Sequence, residues 1–251
     1  MYDSMMRTFF ISLLLAVCVL TLRAEDAPAD AKKPTAPTAA VPHQQYPKEY
    51  QLLVVESIKS FQARDYKGAI AFVDKADAML PPTIWTLNTR GAVAIEAHEF
   101  AEGLKYCEQA LKLDPSFLPA KFNLCEIPFL QGKYADARTL WMKLLETIPG
   151  TGLGGKGDGT SELLNYRVFL TYILEKDLGN AKIWKEKIPF PSQTPAHQYV
   201  NAVWERQNGN MDGWNEWLRN AEFVWPRIQR ANFVDVLIQL EWMKASDIGG
   251  N

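Results

Sequence analysis

Few residues in this sequence are of types that do chemistry, and their spacing decides what each can offer. The three histidines, His43, His98 and His197, stand far apart, and none has a second ligand at metal-binding spacing. No metal is expected. The run Gly150-Thr151-Gly152-Leu153-Gly154-Gly155-Lys156-Gly157-Asp158-Gly159 partly matches a phosphate-cradling loop through Gly150, Gly155 and Lys156. Gly157 stands where Ser or Thr would have to hold the metal, and a helical pattern rather than a strand precedes the run. It reads as a loop between helices, and no cofactor is expected. No two carboxylates are spaced as an acid/base couple, and pairs such as Glu99 and Glu102 read as a solvated face. The chain is expected to be no enzyme. Eight tryptophans occur, and Trp204, Trp214, Trp217, Trp225 and Trp242 cluster toward the C-terminus. They suit either an aromatic platform for a glycan or peptide, or the filling of uneven gaps between irregular helices.

The elements that would position any site repeat. A shift of 34 residues superimposes Tyr66, Phe100 and Tyr134, then Ala69, Gly103 and Ala137, then Pro81, Pro115 and Pro149. Small residues such as Gly91, Gly103 and Ala110 allow two antiparallel helices to approach closely, while Phe100 fills the corner between them. Pro115 ends the second helix, because its ring cannot continue the backbone ladder and its predecessor is pushed out of helical geometry. One such pair cannot bury its own apolar face, so several are expected side by side.

The stretch from Ile84 to Phe117, and above all Ala110-Leu111-Lys112-Leu113-Asp114-Pro115, resembles the tetratricopeptide repeat family, in particular its exported bacterial members. The resemblance implies an all-α fold: a right-handed superhelical solenoid of antiparallel helix pairs, about five units and a C-terminal capping helix.

In chain order, Arg7 precedes an uncharged, mostly apolar run from Thr8 to Leu22, too short to span a bilayer as a helix. Residues 1–24 read as a signal peptide. A lipoprotein box at Leu15-Ala16-Val17-Cys18 fits poorly at Val17, and apolar residues continue beyond Cys18, so no lipid anchor is expected there. Residues 25–47 are rich in Ala and Pro and too poor in large apolar side chains to offset the entropy of ordering, so they read as a disordered spacer. Three units are expected over 48–151, the Gly-rich loop over 152–160, two diverged units over 161–228, and a capping helix with tail over 229–251. The first helix of unit one is expected to be irregular, with Ser57 where Gly or Ala is usual. Pro128 is expected to kink or stop the first helix of unit three. The last helix is expected over Arg227 to Lys244, with Phe233, Val236, Leu237, Leu240 and Met243 on one face.

With 27 basic and 29 acidic residues the net charge is −2, and no basic stripe or polybasic run points to nucleic acid or a membrane surface. The expected location is outside the inner membrane, in the periplasm or envelope, with membrane contact only through the removed signal peptide. The partner expected is another protein; the alternative is a structural component of an envelope assembly, held by the edges of the solenoid rather than its groove. In the family, first helices line a concave groove that takes peptides. The resemblance places Val54 and Ile58 of unit one, Asn88, Ala92 and Ile95 of unit two, and Phe122, Asn123, Glu126 and Phe129 of unit three in that groove. Its apolar character suits an apolar or amphipathic segment; the alternative is that these residues pack between repeats. Cys107 and Cys125 fall on neighbouring helices of units two and three. An exported protein permits a disulfide there; equally, both suit small buried fillers.

Overall fold

The structure is a computed structural model that describes residues 46–148, 159–188 and 190–244. The signal segment with Cys18, the spacer up to residue 45, the Gly-rich run through Asp158 and the tail from Ala245 lie outside these. Among the described residues there are eleven α-helices and no strand. They are α1 (Lys48–Gln62), α2 (Tyr66–Met79), α3 (Ile84–Glu96), α4 (Phe100–Leu113), α5 (Leu118–Leu130), α6 (Tyr134–Glu146), α7 (Thr160–Leu174), α8 (Leu178–Glu186), α9 (Ala196–Gln207), α10 (Met211–Val224) and α11 (Arg227–Gln239). The fold is all-α, a tetratricopeptide-like succession of paired helices. It forms two compact units, one reaching Ala120 and one starting at Lys121.

One backbone device recurs at each turn from a first to a second helix. A residue with left-handed φ follows the first helix at Arg64 (61°), His98 (59°), Gly132 (74°), Lys176 (61°) and Gly209 (77°). Each time, the next residue's N–H reaches back five residues to a helix carbonyl: Asp65 to Ser60 at 2.9 Å, Glu99 to Ala94 at 2.8 Å, Lys133 to Pro128 at 2.8 Å, Asp177 to Tyr172 at 2.9 Å and Asn210 to Glu205 at 2.9 Å. This closure satisfies carbonyls that the helix end would otherwise leave bare. The second helix starts at once, and the side chains of Asp65, Asp177 and Asn210 accept from the N–H three residues on. The chain thus reverses within a few residues, which is what makes the pair antiparallel.

In the first unit α3 and α4 pack closely. A Cβ added at Gly91 would stand 2.8 Å from Cys107 Sγ, and one added at Gly103 would stand 2.6 Å from Ile95 Cγ1. Only a hydrogen fits at either place, so the two glycines set the interhelix distance. Ser57 holds the same register in α1; it is buried, and its hydroxyl donates to the Val54 carbonyl at 2.7 Å. That local bond leaves no orphaned polar group, and α1, expected to be irregular, runs unbroken for 15 residues. The start of α3 is fixed by Thr83, whose hydroxyl caps the helix and lies 2.5 Å from Tyr50 Oη of α1. Arg90 of α3 forms ion pairs with Asp74 at 2.7 Å and Asp77 at 2.9 Å on α2.

In the second unit, α5 continues through Pro128 to Leu130 instead of stopping early. The proline costs a single backbone bond in the last turn, and its own carbonyl is the acceptor used by Lys133 in the closing turn. Eleven of the fifteen residues of α7 are buried, in keeping with its continuous apolar runs Leu163-Leu164 and Val168-Phe169-Leu170. The expected last helix over Arg227 to Lys244 is shorter, ending at Gln239. Its end repeats the device of the first helices: Glu241 has φ 57°, and the Trp242 N–H reaches the Leu237 carbonyl at 2.8 Å. In this respect the end of α11 resembles that of a first helix.

Candidate functional site

The nine residues that the resemblance places in a groove all lie on first helices, but they do different things there. Val54 and Ile58 join Tyr50 and Ala76 in one buried cluster, so they face α2. Ile95 packs on Gly103, and Phe129 lies against Trp141 and Tyr134 of α6, with ring centroids 5.3 and 5.6 Å away. These four hold first helices to second helices. Asn88 and Ala92 are buried as well, while Asn123 is half-buried.

Phe122 and Glu126, by contrast, face the next first helix. The guanidinium of Arg167 on α7 lies 5.6 Å from the Phe122 ring centroid, and Arg167 Nε is 3.0 Å from Glu126 Oε1, with side chains only 5% and 9% exposed. The second Arg167 nitrogen, Nη2, donates to the Asn232 carbonyl of α11 at 3.3 Å. Arg167 was not foreseen: the 34-residue period and the nine-residue Gly-rich insertion pair it with Leu124, whereas the turns at Gly132 and Lys176, 44 residues apart, place it where Asn123 stands in α5.

The face of first helices in the second unit continues through an aromatic cluster. Tyr166 of α7 and Tyr199 of α9 both meet Phe233 of α11, at centroid distances of 5.2 and 5.6 Å, the latter pair stacked at 13°. Tyr166 Oη donates to the Phe233 carbonyl at 3.3 Å. Burial drives both phenols toward their neutral form and pushes Tyr199 up to about 12. These are packing and hydrogen-bonding groups.

The remaining candidates fall elsewhere. Cys107 and Cys125 are both buried thiols rather than a disulfide, and burial pushes the Cys125 thiol up to about 12. His98 sits in a left-handed turn, and His197 is layered between Phe190 and Trp217. No group of three His, Cys, Asp or Glu side chains converges among the described residues. Of the C-terminal tryptophans, Trp214 is buried, and the Arg206 guanidinium bridges it to Trp242 at 5.6 and 5.1 Å from the two rings. No described helix is long and apolar enough to cross a membrane.

Paired helices with a common turn and a face of first helices that joins charge to aromatic rings define a repeat protein of the tetratricopeptide-like class. Over 110 residues the chain is 30% identical to the small glutamine-rich tetratricopeptide repeat-containing protein 2 of Mycosarcoma maydis. The match covers 44% of this chain and 31% of that protein, so the chain spans about a third of its relative's length. No family profile matches the chain, and no solved structure matches it.

Proposed function

We propose that this chain is a non-catalytic scaffold of the cell envelope that captures an apolar or amphipathic peptide segment of another protein on its face of first helices. The observation that carries the reading is the similarity over 110 residues to a tetratricopeptide repeat protein, with the buried Phe122, Glu126 and Arg167 contact fixing α5 against α7. The first-helix surface beside this contact offers an amphipathic segment half-buried positions such as Asn123. Helices held in pairs by contacts such as Gly91 with Cys107 keep that surface formed before any ligand arrives, which lowers the ordering cost of binding. The similarity to a tetratricopeptide repeat protein supports interaction with a protein partner. The apolar run from Thr8 to Leu22 behind Arg7, read as a signal peptide over residues 1–24, supports the envelope as its place of work.

The test is placement of a photo-crosslinking amino acid at Asn123, on a first helix, and separately at Leu140, exposed on α6. A partner joined from position 123 but not from 140 supports capture on the face of first helices. A partner joined only from 140 places the interaction on the second helices and overturns the reading.

A further inference from the structure

The stretch 190–195, which leads from α8 into α9, is fastened from two sides by groups that titrate. On one side stands the buried Glu162 of α7, whose carboxylate accepts from the Gln193 N–H at 3.0 Å and from the Thr194 hydroxyl at 2.5 Å. The Thr194 oxygen in turn accepts from the Ala196 N–H at 3.1 Å, so the same contact sets the start of α9. On the other side stands His197, in the first turn of α9, whose ring lies 4.9 Å from that of Phe190 and 5.8 Å from that of Trp217 on α10. Phe190 is 77% exposed, and its ring contact with His197 ties it to α9.

The two fastenings respond to acid in opposite senses. The charged side chain acting on His197 is Lys185 of α8, while Phe190 and Trp217 are uncharged; burial first and Lys185 second hold the imidazole below its ordinary value. Lys185 itself stands near Glu186, Glu205 and Lys182. The contribution of neutral His197 is therefore fully present above the unfolded imidazole value and is lost as pH falls through the folded one. Glu162 faces the uncharged Gln193 and Thr194, and burial raises its carboxyl, so its contribution is fully present in acid and is lost as pH rises through the folded value. Acid thus holds the Thr194 end most firmly and the Phe190 end least.

We infer that the stretch 190–195 is a clasp operated by protonation: acid releases Phe190 from His197, while Glu162 keeps Thr194 and the start of α9 in place. The movement is confined to the few residues between Phe190 and Gln193, and what it adds to the surface is the apolar area that Phe190 and His197 cover in each other. The helices on either side stay as they are. The inference goes beyond the proposed function and does not depend on the first-helix face being a binding face.

The test uses the full chain carrying 4-fluorophenylalanine in place of Phe190, with the fluorine resonance followed from about pH 8 to about pH 5, across the ordinary imidazole range. On acidification the resonance is expected to move toward its position in the denatured chain and to narrow, with a midpoint below the ordinary imidazole value, while the helical circular dichroism stays constant. His197→Gln should abolish the transition, Lys185→Gln should move its midpoint up, and Glu162→Gln should leave the midpoint where it is. A resonance that keeps its neutral position throughout, or a transition that survives in His197→Gln, overturns the inference. A shift without narrowing overturns it equally, because His197 then titrates with Phe190 still in place. So does a transition that coincides with loss of helix, since acid then unfolds the unit instead of opening a clasp. Each of these failures leaves crosslinking from Asn123 on α5 untouched, so none counts against the proposed function.

Discussion

Arg167 Nε and Glu126 Oε1 lie 3.0 Å apart, joining α7 to α5 where both side chains are almost wholly out of water. A pair of this kind has a steep penalty for losing one member, because the other charge is then buried alone.

Glu126→Leu and Arg167→Met, each made singly, are therefore expected to cost about 3–5 kcal/mol, while the double variant costs far less than their sum. Urea unfolding of the four proteins measures the coupling. Additive losses would show that the pair is not coupled as its geometry implies.

Gly103 offers a second stability test with an internal control. Gly103→Ala should destabilise by about 1–3 kcal/mol despite alanine's better helix propensity, since the new methyl meets Ile95 Cγ1 at 2.6 Å. Gly179→Ala in α8, where the nearest atom is Asp177 Oδ1 at 3.7 Å, should be neutral or stabilising by up to about 1 kcal/mol. Denaturant midpoints compare the two.

Glu162 of α7 makes part of the stability dependent on pH. Burial raises its carboxyl, and this outweighs the hydrogen bonds that pull it down, from the Thr194 hydroxyl at 2.5 Å and from the Gln193 and Thr194 N–H groups. With the folded value above the unfolded one, the folded state holds the proton more tightly, so this group's contribution is fully present below the unfolded value and is lost as pH rises through the folded one. Relative to Glu162→Gln, the wild-type chain should lose stability between acid and neutral pH. A stability difference that stays constant, or that runs the other way, would contradict the assignment.

The thiols give a covalent check. Peptides carrying Cys107 and Cys125 should show no mass change on reduction, and in the native protein both should resist alkylation that proceeds readily in denaturant, because both are buried and Cys125 holds its proton far above neutral pH. Rapid native labelling at Cys125 would show that α5 opens.

Much of the fold was legible because it rests on steric rules that leave a periodic trace. Gly91, Gly103 and Ala110 sit where helices touch, and a spacing of 34 residues reappears in the structure as the left-handed turns at Arg64, His98 and Gly132. Those turns were hidden in the sequence because Arg64, His98, Lys176 and Glu241 are not glycines; the back-reaching hydrogen bond holds the conformation that the side chain disfavours. Pro128 misled for a related reason, since a proline is tolerated where only one ladder bond remains to be lost. The site was less legible than the fold. Position on a first helix does not say whether a side chain turns to its own second helix, as Phe129 does, or to the next first helix, as Phe122 does. Arg167 gained its importance only through Glu126 and the Asn232 carbonyl, which are distant in sequence.

The most direct measurement is crosslinking from Asn123 compared with Leu140, carried out in cells that express the full chain and followed by identification of the joined peptide. One partner segment, apolar or amphipathic, is expected to be joined from Asn123 and absent from Leu140. The same segment joined from Leu140 and absent from Asn123 would contradict it, and the second helices would then be the surface on which this protein works.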